Sequence, residues 1–392
     1  MEYISADEIA KKWDISLRQV QRLLAANRIR YAKKLGRSWM IPIDAEKPTD
    51  MRLKKKAPQK SLWTDLNYVI NNMVVTVMSD NPDAVFDALT DKRMRNFCEG
   101  AFSYARGDFT RTIYCYKQSE GDEAAKLCTS FYAIAAAISI GDYHFYTEIE
   151  RFLKDIIEAD DCREVTAIAE LSLATAHLSA MAPNLIPDWL KEGDFSAIPL
   201  KIRLEAVFKR VQYLRCLGEY QSMLDIAQTA LVFFDSPQEI SHPCTYLKLM
   251  CAVACYALER QEEAEHWLLD TMKSNLPHGF ITPFAELISP LGGLMEKCLK
   301  QHFPMHYNKI IGQWNFTFKN WVIFHNRFTK DNITSILSLR DYQMAMMAVR
   351  GISNAKIAEQ FNISVGRLKI IMSGIYGKLF IKNRKELAKY IL

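Results

Sequence analysis

Leu337 to Leu392, the last seventh of the chain, reads LSLRDYQMAMMAVRGISNAKIAEQFNISVGRLKIIMSGIYGKLFIKNRKELAKYIL. It predicts several short helices separated by turns, with a helix–turn–helix in the middle. Ser353 is placed to cap a helix over Asn354 to Phe361, because a serine oxygen accepts from a backbone N–H left free at a helix start. Asn362 follows, a residue type that tolerates the left-handed conformation a helix end requires. Ser364 is placed to cap the next helix. There Leu368, Met372, Ile375 and Leu379 recur at helical spacing and form one apolar stripe, while Arg367, Lys369, Ile370, Ser373 and Lys378 fall outside it. Gly366, Gly374 and Gly377 lie in the same helix, and each interior glycine costs about 1 kcal/mol relative to alanine. Packing therefore has to hold this helix.

The run GISNAKIAEQFNIS, then a helix, then IYGKL and KNR, resembles the DNA-binding domain of LuxR-type bacterial transcription regulators. Gly351, Ser353, Asn354, Ile357, Ala358, Ile363, Ser364, Lys369, Ile375, Tyr376, Lys378, Leu379, Asn383 and Arg384 fall where the family pattern has them. The resemblance implies that the second helix enters the major groove, where base edges distinguish all four pairs. It implies DNA contacts from Ser364, Arg367, Lys369, Ile370, Ser373 and Lys378, with Lys369, Ile370 and Ser373 as the reading residues. The sequence departs from the family at Arg367, where Thr is usual, and at Ile371, Asp341 and Phe380, where His, Glu and Gly are usual.

The whole chain has 392 residues, 49% hydrophobic and 24% charged, as in an ordinary globular protein of several domains. No uninterrupted apolar run reaches the roughly 18 residues of a membrane span, and MEYISADEIAKKW lacks a basic-then-apolar signal pattern. The expectation is a cytoplasmic protein without a membrane partner. Its nine cysteines include no C-x-x-C pair and fit reduced thiols in a helical core. The net charge of +5 is unevenly spread. Residues 1 to 60 carry 15 basic and 7 acidic side chains, residues 330 to 392 carry 11 and 4, and the stretch between carries 24 and 34. Both ends can therefore attract a polyanion that the centre repels.

The first 45 residues predict a second helix–turn–helix. Ser5-x-x-Glu8 and Ser16-x-x-Gln19 are capping boxes, each opening a helix, the first running to Trp13 and the second to near Asn27. In the second, Ile15, Val20, Leu23 and Leu24 face a core, leaving Arg18, Gln19 and Arg22 outside, residue types that match guanine and adenine edges. IRYAKKLGRSWMIP then reads as a β-hairpin turning at Gly36, with Lys33, Lys34 and Arg37 near its tip. Two helices and a basic hairpin resemble the winged helix–turn–helix of excisionase-like and MerR-like proteins, and Trp39, Ile41 and Pro42 match that family's aromatic-Ile-Pro ending. The candidate DNA contacts of this unit are Ser16, Arg18, Gln19, Arg22, Lys33, Lys34 and Arg37.

A basic, proline-containing linker, EKPTDMRLKKKAPQK, leads into a region from Leu62 to about Lys300 that is almost wholly helical in pattern. Turns of one form recur there: Gly107-Asp108-Phe109, Gly141-Asp142-Tyr143, Gly193-Asp194-Phe195 and Gly218-Glu219-Tyr220. The first two are 34 residues apart, the period of a tetratricopeptide repeat. CAVACYALERQEEAEHWLLD reads as a degenerate unit of the same kind. A curved α-solenoid with irregular repeats follows from this. HGFITPFAELISPLGGLMEKCL resembles the closing helices of the sensor domain found beside LuxR-type domains in larger regulators. The aromatic-rich QHFPMHYNKIIGQWNFTFKNWVIFHNRF is expected to be a final helix, buried against the solenoid more readily than offered to a partner.

Nothing in the sequence has the spacing of a catalytic site. G-x-x-x-x-G-K-[ST], HExxH, GxSxG and dinucleotide fingerprints are absent, and His242, His266 and His278 have no triad spacing. Cys298, His302 and His306 would align on one helix face, but Pro304 interrupts that helix and a fourth ligand is not evident. No cofactor, no metal and no enzymatic activity are expected. The sequence thus predicts a mainly α protein: a winged helix–turn–helix over 1–47, a basic linker over 48–61, a helical-repeat domain over 62–325, a linker over 326–336 and a LuxR-type helix–turn–helix over 337–392. The functional expectation is a bacterial regulator that binds double-stranded DNA under control of a small-molecule or protein effector on the repeat body, with room for a homodimer. Two other readings stay open: an interaction scaffold with vestigial helix–turn–helix units, and an excisionase-like accessory factor.

Overall fold

A computed structural model describes residues 3–13, 15–25, 28–29, 32–36, 38–43, 45, 47–48, 61–159, 162–291, 293–329, 337–349, 351–379 and 381–389. The chain is mainly α-helical and divides into two compact units, Met1–Gln59 and Lys60–Leu392.

In the first unit both capping boxes form. The Ser5 N–H donates to Glu8 Oε2 at 2.8 Å while the Glu8 N–H donates to Ser5 Oγ at 3.3 Å, opening the helix Ala6–Trp13. Ser16 and Gln19 repeat the exchange at 3.0 and 3.3 Å ahead of Leu17–Ala25. Ile9, Val20, Leu24 and Ile41 make the buried core. The strands Lys33–Leu35 and Ser38–Pro42 pair as a hairpin, Lys34 opposite Trp39. A third strand, Tyr3–Ser5, joins the other edge of Ser38–Pro42 with Ile4 opposite Ile41. Three residues are too few to show an alternating pattern, so this strand is not legible in the sequence.

The second unit is built largely of antiparallel helix pairs. Lys92–Arg106 pairs with Phe109–Lys117, Arg203–Leu217 with Tyr220–Phe234, and His242–Ala257 with Gln261–Asn275. Between Glu123–Ile140 and Tyr143–Ala159, Gly141 ends the first helix at φ 79° and Asp142 starts the second by accepting from the Phe145 N–H at 2.9 Å. Gly107 and Asp108 do the same one repeat earlier, with the Arg111 N–H as donor. The turn at Gly193 departs from this pattern. It closes a helix of five residues, Asp188–Glu192, and Asp194 accepts from the Ser196 N–H in a loop instead of starting a helix. In the degenerate last pair Glu259 takes the left-handed place, at φ 63°. The body is also not wholly helical: Thr76–Met78 pairs with Glu239–Ser241 in a two-stranded antiparallel ladder.

Glu123–Ile140 is long and apolar enough to cross a membrane by length and composition, but 78% of it is buried inside the body, as befits a core helix. The nine cysteines are free thiols, and burial pushes those of Cys128 and Cys298 up to about 12. Pro304 opens a new helix, Pro304–Thr329, after Gly293–His302 ends, so Cys298 stays in the core while His302 is exposed. This 26-residue helix continues four residues past the expected linker boundary at 326; residues 330–336 lie outside the described residues.

The long helix runs across the repeat turns. A Cβ on Gly107 would meet Gln313 Cδ at 3.1 Å and one on Gly141 would meet Asn320 Cγ at 2.9 Å. Seven residues of helix rise about 10.5 Å, so Gln313 and Asn320 match two turns that lie one repeat apart. Asn320 Nδ2 also donates to Ser139 O at 2.9 Å and Trp321 Nε1 to Ser179 O at 2.7 Å, joining the helix to successive repeat ends. Phe324 and His325 are buried, whereas Trp314, Phe318 and Trp321 are half-buried, so the aromatic stripe is only partly core.

Candidate nucleic-acid interface and its seat on the helical body

The C-terminal part of the second unit contains the helices Leu339–Val349, Asn354–Gln360 and Val365–Lys378, then a 3-10 turn over Arg384–Lys389. Ser353 Oγ accepts from the Lys356 N–H at 3.3 Å and Ser364 Oγ from the Arg367 N–H at 3.1 Å. Asn362 adopts φ 50°, the left-handed residue between the two helices. Leu368, Met372, Ile375 and Leu379 are buried with Ile357, Ala358, Met344 and Met347. Arg384 completes the fold by donating to Ala348 O at 2.8 Å and Ile352 O at 2.6 Å, closing two carbonyls at a helix end.

With the stripe buried and Ile371 and Tyr376 packed partly against the same core, the opposite face of Val365–Lys378 is open. Ser364, Arg367, Lys369, Ile370, Ser373 and Lys378 are all exposed, Ile370 at 64%. Lys378 is nonetheless engaged: its Nζ donates to Asp341 Oδ2 at 2.9 Å. A Cβ at Gly374 or Gly377 would meet nothing within 4 Å, and one at Gly366 only Ser364 Oγ at 3.9 Å. The three glycines therefore thin this outer face instead of admitting a neighbour within the chain. Phe380 lies outside the described residues.

In the N-terminal unit Arg18, Gln19 and Arg22 are exposed on one face of Leu17–Ala25. Gln19 is not free, because its Oε1 accepts from the Ser16 N–H in the capping box. Reading adenine with this amide would mean giving up the cap, a conflict already written in the Ser16-x-x-Gln19 spacing. Lys33 and Lys34 are exposed on the hairpin, their ammonium groups 5.5 Å from the Tyr3 ring and 6.0 Å from the Trp39 ring. Arg37 lies outside the described residues.

Residues 335–391 match the family model described as "Bacterial regulatory proteins, luxR family". They form a LuxR-family helix–turn–helix domain. The chain is also 24% identical over 249 residues to "HTH-type transcriptional regulator MalT" of Vibrio campbellii (strain ATCC BAA-1116), a match covering 56% of this chain and 26% of that protein. The chain thus spans about a quarter of the length of the curated relative it matches. No solved structure matches it.

The LuxR-type domain is seated on the helical body, on elements that sequence reasoning did not connect. Gly293 begins the helix Gly293–His302, and a Cβ there would lie 2.8 Å from the backbone carbon of Gln360. Lys356 Nζ meets Glu259 Oε2 at 2.8 Å, so the residue in the left-handed place of the last repeat turn also holds the domain. Two signals pointed here without being read: glycine inside the helical run LGGLMEK, and glutamate where other repeat turns carry glycine. The seat uses the first two helices and leaves the outer face of Val365–Lys378 uncovered.

Alongside the seat is a cavity of about 450 Å³, bounded by the repeat helices, the long helix and Leu339–Val349. Glu286 projects into it, accepting from Tyr246 Oη at 2.6 Å and from Tyr104 Oη. Burial, reinforced by the Glu286 charge, holds both phenols well above their ordinary range, so they remain donors.

Proposed function

We propose that this chain is a DNA-binding transcriptional regulator whose LuxR-type domain contacts duplex DNA through Val365–Lys378, under control of an effector bound by the helical body. The carrying observation is the division of that helix: its apolar stripe is buried while Lys369, Ile370 and Ser373 stay exposed with the domain seated on the body. Side chains of this kind at the start and middle of a recognition helix reach base edges, and Arg367 adds a phosphate contact. The exposed Arg18, Arg22, Lys33 and Lys34 support a second contact surface in the N-terminal unit. Two copies of the chain on paired half-sites would raise affinity further. The reading includes no catalytic step, and it places the protein in the cytoplasm with its DNA.

The test is selection of bound DNA from a random pool by the full chain, followed by mobility shift at two salt concentrations. Recovery of a consensus whose binding weakens steeply with salt supports the reading. Lys369→Ala should lose about tenfold or more for that consensus. If Lys369→Ala and Arg22→Ala both bind as the parent chain does, the assigned surfaces are wrong.

A further inference from the structure

The cavity beside the seat holds polar groups that neither fold nor interface explains. Gln212 is 7% exposed, and its Oε1 has no hydrogen-bond partner among the described residues. Three residues on, along the same face of Arg203–Leu217, the buried Nε of Arg215 is likewise unpartnered. Both side chains line the cavity. Buried polar groups are normally satisfied, so an unpaired acceptor and an unpaired donor three residues apart on side chains that line this cavity point to a ligand that offers both.

Charge and shape narrow its class. The cavity carries one guanidinium, Arg215, and one carboxylate, Glu286, which two tyrosine hydroxyls hold in place. A ligand with a single charge would be attracted by one and repelled by the other; a zwitterion satisfies both. Another wall is aromatic. Phe318 and Trp321 stack with centroids 5.7 Å apart and planes 22° apart, giving a flat apolar face. The volume of about 450 Å³ lies within the usual range for small-molecule sites, roughly 300–1,000 Å³.

We propose that this cavity binds an α-amino acid with an aromatic side chain, its carboxylate on Arg215, its ammonium group between Gln212 Oε1 and Glu286, and its ring against the Phe318 and Trp321 wall. Tyr342 and Met346 of the LuxR-type domain form part of the enclosure. Occupancy is therefore coupled to how that domain sits on the body, because the ligand touches both. This assignment rests on the reading of the body as an effector domain, yet its test does not use DNA, so the two can fail separately.

The test is isothermal titration of the full chain with L-tryptophan, L-phenylalanine, tryptamine, which lacks the carboxylate, and indole-3-propionate, which lacks the ammonium group. At least one of the amino acids should bind at least tenfold more tightly than either one-ended analogue. Arg215→Met and Gln212→Leu should each weaken that binding at least tenfold, and Tyr342→Ala should weaken it several-fold, with thermal melts confirming that each variant is folded. The assignment is overturned if neither amino acid binds, if a one-ended analogue binds as tightly, or if folded Arg215→Met and Gln212→Leu bind like the parent. Should a variant fail to fold, the analogue series on the parent chain decides alone.

Discussion

His177 illustrates what burial does to a single side chain. Its Nδ1 has no hydrogen-bond partner among the described residues, the Phe328 ring lies edge-on at 5.4 Å, and burial holds its pKa down to about 4. In the unfolded chain a histidine titrates near 6.5, so between those values the unfolded state binds a proton that the folded state refuses. The neutral ring's contribution is complete above pH 6.5 and is lost as pH falls towards 4. On going from pH 7 to 4.5, the parent should lose roughly 2–3 kcal/mol more than His177→Gln, measured by urea unfolding at both pH values. Glycines give a second residue-scale test with opposite signs. Gly141→Ala places a Cβ at φ 79° against Asn320 and should destabilise by about 2 kcal/mol. Gly374→Ala fills open space on an exposed helix and should stabilise the LuxR-type domain by about 1 kcal/mol. Calorimetry of the two variants checks both signs.

At the scale of elements, the helices were legible where their ends carry side-chain chemistry. Ser353, Ser364, Asp108 and Asp142 each cap the helix that follows them, because a cap acts within three residues of sequence. The Gly193-Asp194-Phe195 turn has the same letters and a different outcome: Pro199 and the short stretch around it do not sustain a second helix. How elements meet was less legible. Gly293 admits the Gln360 backbone, so Gly293→Val should loosen the seat of the LuxR-type domain. Hydrogen exchange should then speed up in Leu339–Val349 and Gly293–His302 while His242–Ala257 stays protected. Equal protection in parent and variant would show that Gly293 is not part of the seat. Among the candidate site residues, Arg18, Arg22, Lys369, Ile370 and Ser373 are exposed as a reading face requires, whereas Gln19 is held by its own cap and Lys378 by Asp341.

For the whole molecule, charge is the property that composition conceals. Two basic ends flank an acidic centre, so a polyanion is drawn to the terminal units and held off the body. If both ends bind one duplex, their linkage makes the second contact intramolecular. A DNA fragment bearing both preferred sequences should then bind at least a hundredfold more tightly than either sequence alone, with Arg22→Ala or Lys369→Ala abolishing the gain. Mobility shift on fragments with one and two sites measures this directly.

By itself the sequence determined the local geometry: helix starts at Ser5, Ser16, Ser353 and Ser364, left-handed ends at Gly107, Gly141 and Asn362, and the buried stripe Leu368–Met372–Ile375–Leu379. These depend on neighbours within about one helical turn, where residue type nearly fixes conformation. Only the tertiary structure decided that Tyr3–Ser5 joins the hairpin, that Thr76–Met78 finds Glu239–Ser241, and that Gln212, Glu286 and Tyr342 line one cavity. Such partners lie tens to hundreds of residues apart, and no local pattern records a pairing that the packing of the intervening helices brings about.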